Sequence, residues 1–376
     1  MSDKSRKMLD EPLIIEEFDN FMDSVKKNTA PGISGLPYSC FECFWPYFRY
    51  PIFQCAKEIE KNGIMPEFLR KAVLSLLHKG AGKDRRQLKS WRPLLLQECL
   101  YKMYSAVFTN RLNLVTPEII KGDQYGFIKS RCIDDNIRLV SAVLEYAKKA
   151  GKRGIILAID FNKAFDSLSH NFILKSLDFF GSGGHFKRWV KIFLSGKSIY
   201  INHANKLLQS FPLERGVAQG DPLSPCLFII ALEVLLIKLR NCPEIKRYKI
   251  NNDIIIDLTA YADDLNILFS YDETSLRAIM RILDEFKLIS GLKVNESKTQ
   301  LMVMGRDPNV PIVKLCPDIP LKWTPVVRFL EVELDYLYIS TDSNNDAKLE
   351  QIYKVVNAWE HKFLSPSGGR NLLPSN

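Results

Sequence analysis

Negative charge is in the minority in this sequence of 376 residues: 43 Asp and Glu stand against 52 Lys and Arg, a formal excess of +9. That balance favours a polyanionic partner, nucleic acid before a membrane surface, because cations gain affinity by neutralising phosphates and releasing their counterions. An apolar leader is missing from MSDKSRKMLDEPLIIEEFDNF, so export is not expected. No run reaches the ~20 apolar residues that span a bilayer. The longest stretch, Cys226 to Leu239, is interrupted by Glu233 and Lys238 and reads as a buried helix. Ligand sets for zinc are also missing. The eight cysteines include one C-x-x-C, Cys40 and Cys43, with no second Cys or His pair at motif spacing, so they read as ordinary buried thiols. Repeats, low-complexity tracts and long Gly/Ser linkers are lacking too, which leaves any lobes joined compactly.

What is present is a chain able to bury a sizeable core, with 46% hydrophobic and 25% charged residues. At about 150 residues per domain the length allows two to three lobes. Residues 13–27 carry apolar side chains at helical spacing, and 52–62 repeat the pattern until Gly63 and Pro66 interrupt it. The first third is therefore expected to be helical. Pro31 to Pro37 holds too much Gly and Pro for a regular element and reads as a loop. From His78 to Arg92 runs a basic segment with Lys79, Lys83, Arg85, Arg86, Lys89 and Arg92. Taken alone, such a run is as readily a solvated loop as a phosphate contact.

Periodicity changes in the middle of the chain. Gly154 to Ile159 is an unbroken apolar run ending at Asp160, the pattern of a buried strand. Ser169 suits the N-cap of a helix with Ile173, Leu177 and Phe180 on one face, stopped by Gly181. Arg215 to Pro225 leads into the apolar helix, with Ser224 expected at its N-cap and Pro225 at N1. Ile254 to Tyr261 and Leu265 to Phe269 read as strands around Ala262-Asp263-Asp264, which puts both acids at a hairpin tip. A helix from about Ser275 ends at Gly291, and Leu301 to Met304 makes another strand.

An aspartate at the end of one buried strand and a pair at the tip of a neighbouring hairpin call for cations, because like charges brought together repel and raise one another's pKa. Two Mg²⁺ ions about 3.5–4 Å apart resolve this and suit in-line phosphoryl transfer, one activating the attacking hydroxyl and the other stabilising the leaving oxygen. Oxygen-only ligation fits Mg²⁺. The bland alternative is that Asp tolerates tight turns and faces water there.

Tyr261-Ala262-Asp263-Asp264 resembles the Y-x-D-D box of reverse transcriptases, and the matches around it make the resemblance specific. Asp160 to Asp166 resembles the family's D-x-x-x-A-F-D motif, and Arg215 to Pro225 its R-G-V-x-Q-G-D-P-L-S-P motif. Trp91-Arg92-Pro93-Leu94, Asp123-Gln124-Tyr125-Gly126-Phe127 and the run from Ser290 through Lys298-Thr299 resemble three further family segments. The resemblance covers about residues 27 to 335 and is to the non-LTR (LINE-type) retrotransposon branch. It implies an α+β fold, a right-hand polymerase with fingers and an antiparallel-sheet palm, the thumb truncated. A tail over 1–12 would precede a fingers region over 13–150. The palm would span 151–335, the reverse transcriptase domain about 60–335, and 336–376 would begin the thumb.

The implied activity is RNA-directed DNA polymerisation, nucleotidyl transfer from a dNTP to a primer 3′-hydroxyl. The partners implied are an RNA template and a DNA primer or nicked target DNA, with two Mg²⁺ ions, or Mn²⁺, as cofactors and no membrane. An intracellular, nuclear location follows from the family. Asp160, Asp263 and Asp264 match the metal-binding carboxylates. Phe165 matches the aromatic beneath the sugar that excludes a 2′-hydroxyl. Gln219 and Gly220 would lie against nucleotide and template, Arg92 with help from Lys79 would hold the triphosphate, and Lys298 would meet the pyrophosphate. His170, matching a frequent family residue, reads as structural beside Ser169. The chain departs from the family pattern at three places: Ser34 stands where Asp is usual, Leu94-Leu95-Leu96-Gln97 replaces I-S-L-x-N, and Glu331 replaces a glycine in the primer-contacting turn. They keep open the alternative of a catalytically inactive, thumb-less remnant that only binds nucleic acid. An intron maturase is a third, weaker reading.

Overall fold

A computed structural model describes residues 1–335 apart from 28, 81, 204–205, 252–253, 306–313 and 331. Glu331 and the expected start of the thumb lie outside the described residues.

The first third is helical as expected: α1 (Asp3–Asp10), α2 (Ile15–Ser24), α3 (Tyr38–Cys43), α4 (Trp45–Asn62) and α5 (Glu67–Arg70). Phe18, Phe21 and Met22 of α2, spaced three and four apart, form its buried stripe. The Pro31–Pro37 loop is pinned at Ser34, whose backbone N–H donates to the Glu98 carboxylate at 2.9 Å and whose hydroxyl bonds the same group. An aspartate there would set two carboxylates against each other, so the departure at position 34 suits Glu98. Cys43 is exposed and Cys40 half-buried. This corrects the expectation of buried thiols: α3 turns only Tyr38 and Phe41 inward.

After α5 come β1 (Lys71–His78) and β2 (Trp91–Gln97), paired antiparallel around the basic segment, then the core helix α6 (Cys99–Ile119) and α7 (Ile133–Ala150). The middle continues through β3 (Gly154–Ile159), α8 (Ala164–Ser167), α9 (His170–Phe179), α10 (Gly184–Leu194), β4 (Ser198–His203), β5 (Lys206–Leu207) and β6 (Phe211–Pro212). β4 runs parallel to β1, completing a sheet of order β2-β1-β4-β5 with β6 also on β4. Parallel pairing needs a long crossover. β4, β5 and β6, which come after residue 151, thus share a sheet with β1 and β2, while α7 packs on the second sheet.

The remaining elements are α11 (Ser224–Arg240), β7 (Tyr248–Lys249), β8 (Ile255–Ile256), β9 (Leu258–Tyr261), β10 (Asp264–Ser270), α12 (Glu273–Ser290), β11 (Gln300–Met304), β12 (Lys322–Trp323), β13 (Val326–Phe329) and β14 (Val332–Asp335). The second sheet has the order β12-β11-β3-β10-β9. It is the expected antiparallel sheet, with one parallel pair, β11 and β12, at its edge. α11 is the buried apolar helix, and among the described residues no helix is long and apolar enough to cross a membrane. Leu223, not Ser224, is its N-cap. Asp221 satisfies the helix start instead, its Oδ1 accepting from Leu223 N–H at 3.1 Å and its carbonyl from Ser224 N–H at 3.2 Å.

β3 is sandwiched. Ile155, Leu157 and Ile159 belong to the core shared with α9, α11 and α12, whereas Ile156 joins Val140, Val143, Leu144 and Ala147 of α7 in a second core. Each such burial contributes roughly 1.5–3 kcal/mol relative to exposure. Together they fix the strand's register, since a slip of one residue would send every side chain to the other face. That register delivers Asp160 to the sheet's end.

Candidate active site

Asp160 follows β3 directly, and Asp264 opens β10. The pairing of Leu265 with Ile159 sets these two acids opposite each other on the face shared by Ala158 and Asn266. Both line a cavity of about 430 Å³ with Lys83, Asn266, Lys298 and Arg328. Asp160 is tightly held: Asn295 donates through its backbone N–H to the Asp160 carbonyl at 2.7 Å and through Nδ2 to Oδ1 at 3.0 Å. Lys298 Nζ pairs with Oδ2 at 3.2 Å. The segment from Ser290 to Thr299 thus clamps the first aspartate.

Asp263 sits in the turn between β9 and β10, after Ala262 at φ 55°. Burial is the largest influence and pushes its carboxyl above the usual carboxylate range; its own backbone N–H opposes this, the nearby charge of Asp160 adds to it, and Lys298 opposes in smaller part. The strained turn is clasped by the 123–127 segment. Gln124, fully buried, accepts from Ala262 N–H at 2.9 Å through Oε1 and donates to the Ala262 carbonyl at 3.2 Å. Its Oε1 also accepts from Gly126 N–H at 2.8 Å. A Cβ at Gly126 would overlap the Ala262 backbone nitrogen, so only glycine lets the two chains approach. Asp123 is held by Arg240 at 2.6 Å, which also binds buried Glu233 at 2.7 Å.

A second cavity of about 260 Å³ is lined by Phe165, Gln219, Gly220 and Asp221. Phe165 is half-buried, stacked on Phe228 at 4.6 Å and 13°. Gln219 Nε2 reaches Asp166 Oδ1 at 3.5 Å, and its carbonyl accepts from Leu95 N–H of β2 at 2.9 Å. Gly220 has φ 111°, and a Cβ there would meet the Leu95 carbonyl at 3.0 Å. Behind this loop lies a buried knot: Asp221 accepts from Tyr101 at 2.7 Å and from Ser105, and pairs with Lys197 at 3.2 Å. Burial lowers the Lys197 pKa, against the opposing pull of Asp221. His170 Nε2 meets the Gly216 carbonyl at 2.8 Å and burial lowers its pKa, a structural setting.

The structure thus gathers Asp160, Asp264 and Lys298 at one cavity with Asp263 on the adjoining turn, and Phe165, Gln219 and Gly220 at another. Arg92 is exposed on β2 and lines neither; Lys83 reaches the acidic cavity instead. Sequence reasoning missed Lys83, one cation in an aperiodic run, and the roles of Gln124, Asn295 and Lys197. Gln124 and Asn295 did lie within recognised segments.

Among the described residues no three His, Cys, Asp or Glu side chains form a ready-made metal cluster. The donor set nevertheless fits a hard divalent cation, which binds by one or two carboxylates and fills its shell with water and substrate phosphates. The raised carboxyl of Asp263 is the condition a cation relieves.

Residues 78–362 match the family model described as reverse transcriptase (RNA-dependent DNA polymerase). The chain belongs to the reverse transcriptase family. This reverse transcriptase is 30% identical over 81% of its length to the transposon TX1 uncharacterized 149 kDa protein of Xenopus laevis, covering 23% of that protein. It is 32% identical over 63% of its length to the Pol polyprotein of the type-2 retrotransposable element R2DM of Drosophila melanogaster, covering 22% of it. The chain thus spans under a quarter of these relatives' length. They bear out the non-LTR branch expected from the motifs. A solved apo telomerase from Candida tropicalis, truncated from its C-terminal domain, aligns with 76% of the chain and 58% of its own at 14% identity and a TM-score of 0.49, too loose a likeness to carry weight. Reverse transcriptases typically use divalent metals and act on a nucleic acid template and primer.

Proposed function

We propose that this chain is the polymerase module of a non-LTR retrotransposon, an RNA-directed DNA polymerase that transfers a nucleotide from a dNTP to the 3′-hydroxyl of a DNA primer or nicked target on an RNA template. The observation that carries this reading is the facing pair Asp160 and Asp264 across β3 and β10, beside Asp263 on its clasped turn. Two Mg²⁺ ions held by these carboxylates would lower the pKa of the primer hydroxyl and neutralise charge on the leaving pyrophosphate. Asn295 keeps the Asp160 carboxylate in place. Lys298, paired with Asp160 in this structure, is near enough to turn to a phosphate once a cation takes its partner. Lys83 and Arg328 supply positive charge on the cavity wall. Phe165, held flat by Phe228, is proposed to close the space a 2′-hydroxyl would need, with Gln219 and Gly220 presenting backbone to the nucleotide.

Primer extension on an RNA template tests this. The chain should extend with Mg²⁺, and Asp160→Asn should lose at least the ~100-fold that removal of a mere supporting group costs a metal site. Template binding without extension under Mg²⁺ or Mn²⁺ would instead favour a binding protein that has lost catalysis.

A further inference from the structure

The strands that carry the acidic site have a basic one at their other end. β3 starts directly after Lys152 and Arg153, and β10 ends at Ser270, whose N–H donates to the Lys246 carbonyl at 2.8 Å. Six residues at about 3.3 Å each put the two ends of β3 roughly 20 Å apart. At the far end Lys152, Lys246, Arg247 and Lys249 line a cavity of about 490 Å³, and Arg153, next to Lys152 in sequence, is exposed.

Hydrogen bonds to backbone carbonyls tie the 152 and 248–249 segments together. Tyr248 donates its hydroxyl to the Lys152 carbonyl at 2.9 Å, and Lys152 Nζ donates to the Lys249 carbonyl. Asp272 pairs with Lys246 at 2.7 Å and Asp257 faces Arg247 at 3.7 Å. No carboxylate of the described residues comes within ion-pair distance of Lys152 or Lys249. The cavity therefore carries an excess of positive charge that nothing in the active site uses.

We propose that this end of the palm is a second phosphate-backbone site, which grips a nucleic acid strand or duplex extending beyond the catalytic cavity. It rests on the nucleic-acid part of the proposed function. β3 is buried on both faces, so the straight ~20 Å between the sites runs through the core, and a nucleic acid that touches both must pass over the surface, a path well beyond the about six base pairs, at 3.4 Å each, of that distance. A molecule long enough, once held at one site, is presented to the other at high effective concentration. Charge, not shape, does the selecting, so recognition should be indifferent to sequence.

The test compares the full chain with its Lys152→Ala/Arg153→Ala/Lys249→Ala variant on primer–template duplexes of about 8 and about 40 base pairs, by anisotropy across a salt series. With the long duplex the slope of log K against log salt should fall in magnitude by roughly 2 to 3, about 0.9 for each phosphate that is no longer neutralised. With the short one it should not change. Unchanged slopes on both would overturn the proposal. So would unchanged slopes accompanied by lost binding to phosphatidylserine vesicles, an outcome that points to a membrane surface. A footprint on the unsubstituted chain guards against misfolding of the variant: lysine acetylation at 152 and 249 should be blocked by the long duplex and not by the short one. Acetylation undiminished there while Lys83 is protected would also overturn it. A chain that fails to extend primers yet shows these slope changes keeps the second site and loses only the catalytic reading.

Discussion

Asp263 ionises against two opponents, its own burial and the charge of Asp160. A carboxyl whose folded pKa lies above its unfolded value of 3.8 stabilises the fold fully below that pH and loses the contribution as pH rises through the folded pKa. At neutral pH the charge is therefore carried at a cost in stability. Asp263→Asn should raise the melting temperature of the metal-free chain at pH 7, with the gain shrinking towards pH 4, while primer extension is lost. Equal melting temperatures for both forms at pH 7 would show that the charge is carried without strain. At this scale the sequence was most legible in placement, as with three aspartates in recognised motifs that the fold brings to one end of the second sheet. It was least legible where a generic cation acquires meaning from position. Lys83 and Arg92 look alike in a basic run, and only the fold separates the one on the cavity wall from the one facing solvent.

The β9–β10 hairpin shows how an element is held from outside. Asp123 to Phe127 supplies a strand-like strap, Tyr125 N–H donating to the Ala260 carbonyl and Ala260 N–H to the Asp123 carbonyl, both at 2.8 Å. Its glycine lies against Ala262, the left-handed residue of the turn that carries Asp263. Gly126→Ala should therefore cost about 1–3 kcal/mol of stability and depress extension by displacing Asp263. Gly122→Ala, with nothing within 4 Å of the added carbon, should do neither. Denaturant melts and extension assays on the pair decide it, and equal behaviour of the two variants would mean that the strap yields. Strands and helices here were readable from local patterns: β3 from its apolar run, α9 from Ser169, whose hydroxyl does accept from Phe172 N–H, and α12 from its stop at Gly291. Pairing was not. That β4 lies parallel to β1 depends on a partner far away in sequence, and no periodicity within either strand names it.

At the scale of the whole molecule, a buried charge pair ties the first sheet to the helical core. The Lys197–Asp221 pair, both side chains about 95% covered, joins the start of β4 to the loop before α11, with Tyr101 and Ser105 of α6 closing the knot. Removing one partner strands the other in low dielectric. Lys197→Met should cost about 3–5 kcal/mol, and adding Asp221→Leu should recover much of that. A double variant as unstable as the single would show that the hydrogen bonds from Tyr101 and Ser105, rather than the ion pair, hold the loop. The right-hand plan was legible from motif order, but the return of β4 to the sheet of β1 was not, because such an exchange leaves no mark in composition. The crossover from β1 to β4 also sets a schedule for synthesis. When the ribosome has delivered β1 and β2, the edge of β1 that will receive β4 is still bare, with Leu76 and Leu77 exposed even in the finished fold. It stays bare until more than a hundred further residues have emerged. For that interval the nascent chain offers an open strand edge to its neighbours on the polysome, so slow translation through α7 to α10 should be the period in which it most needs a chaperone.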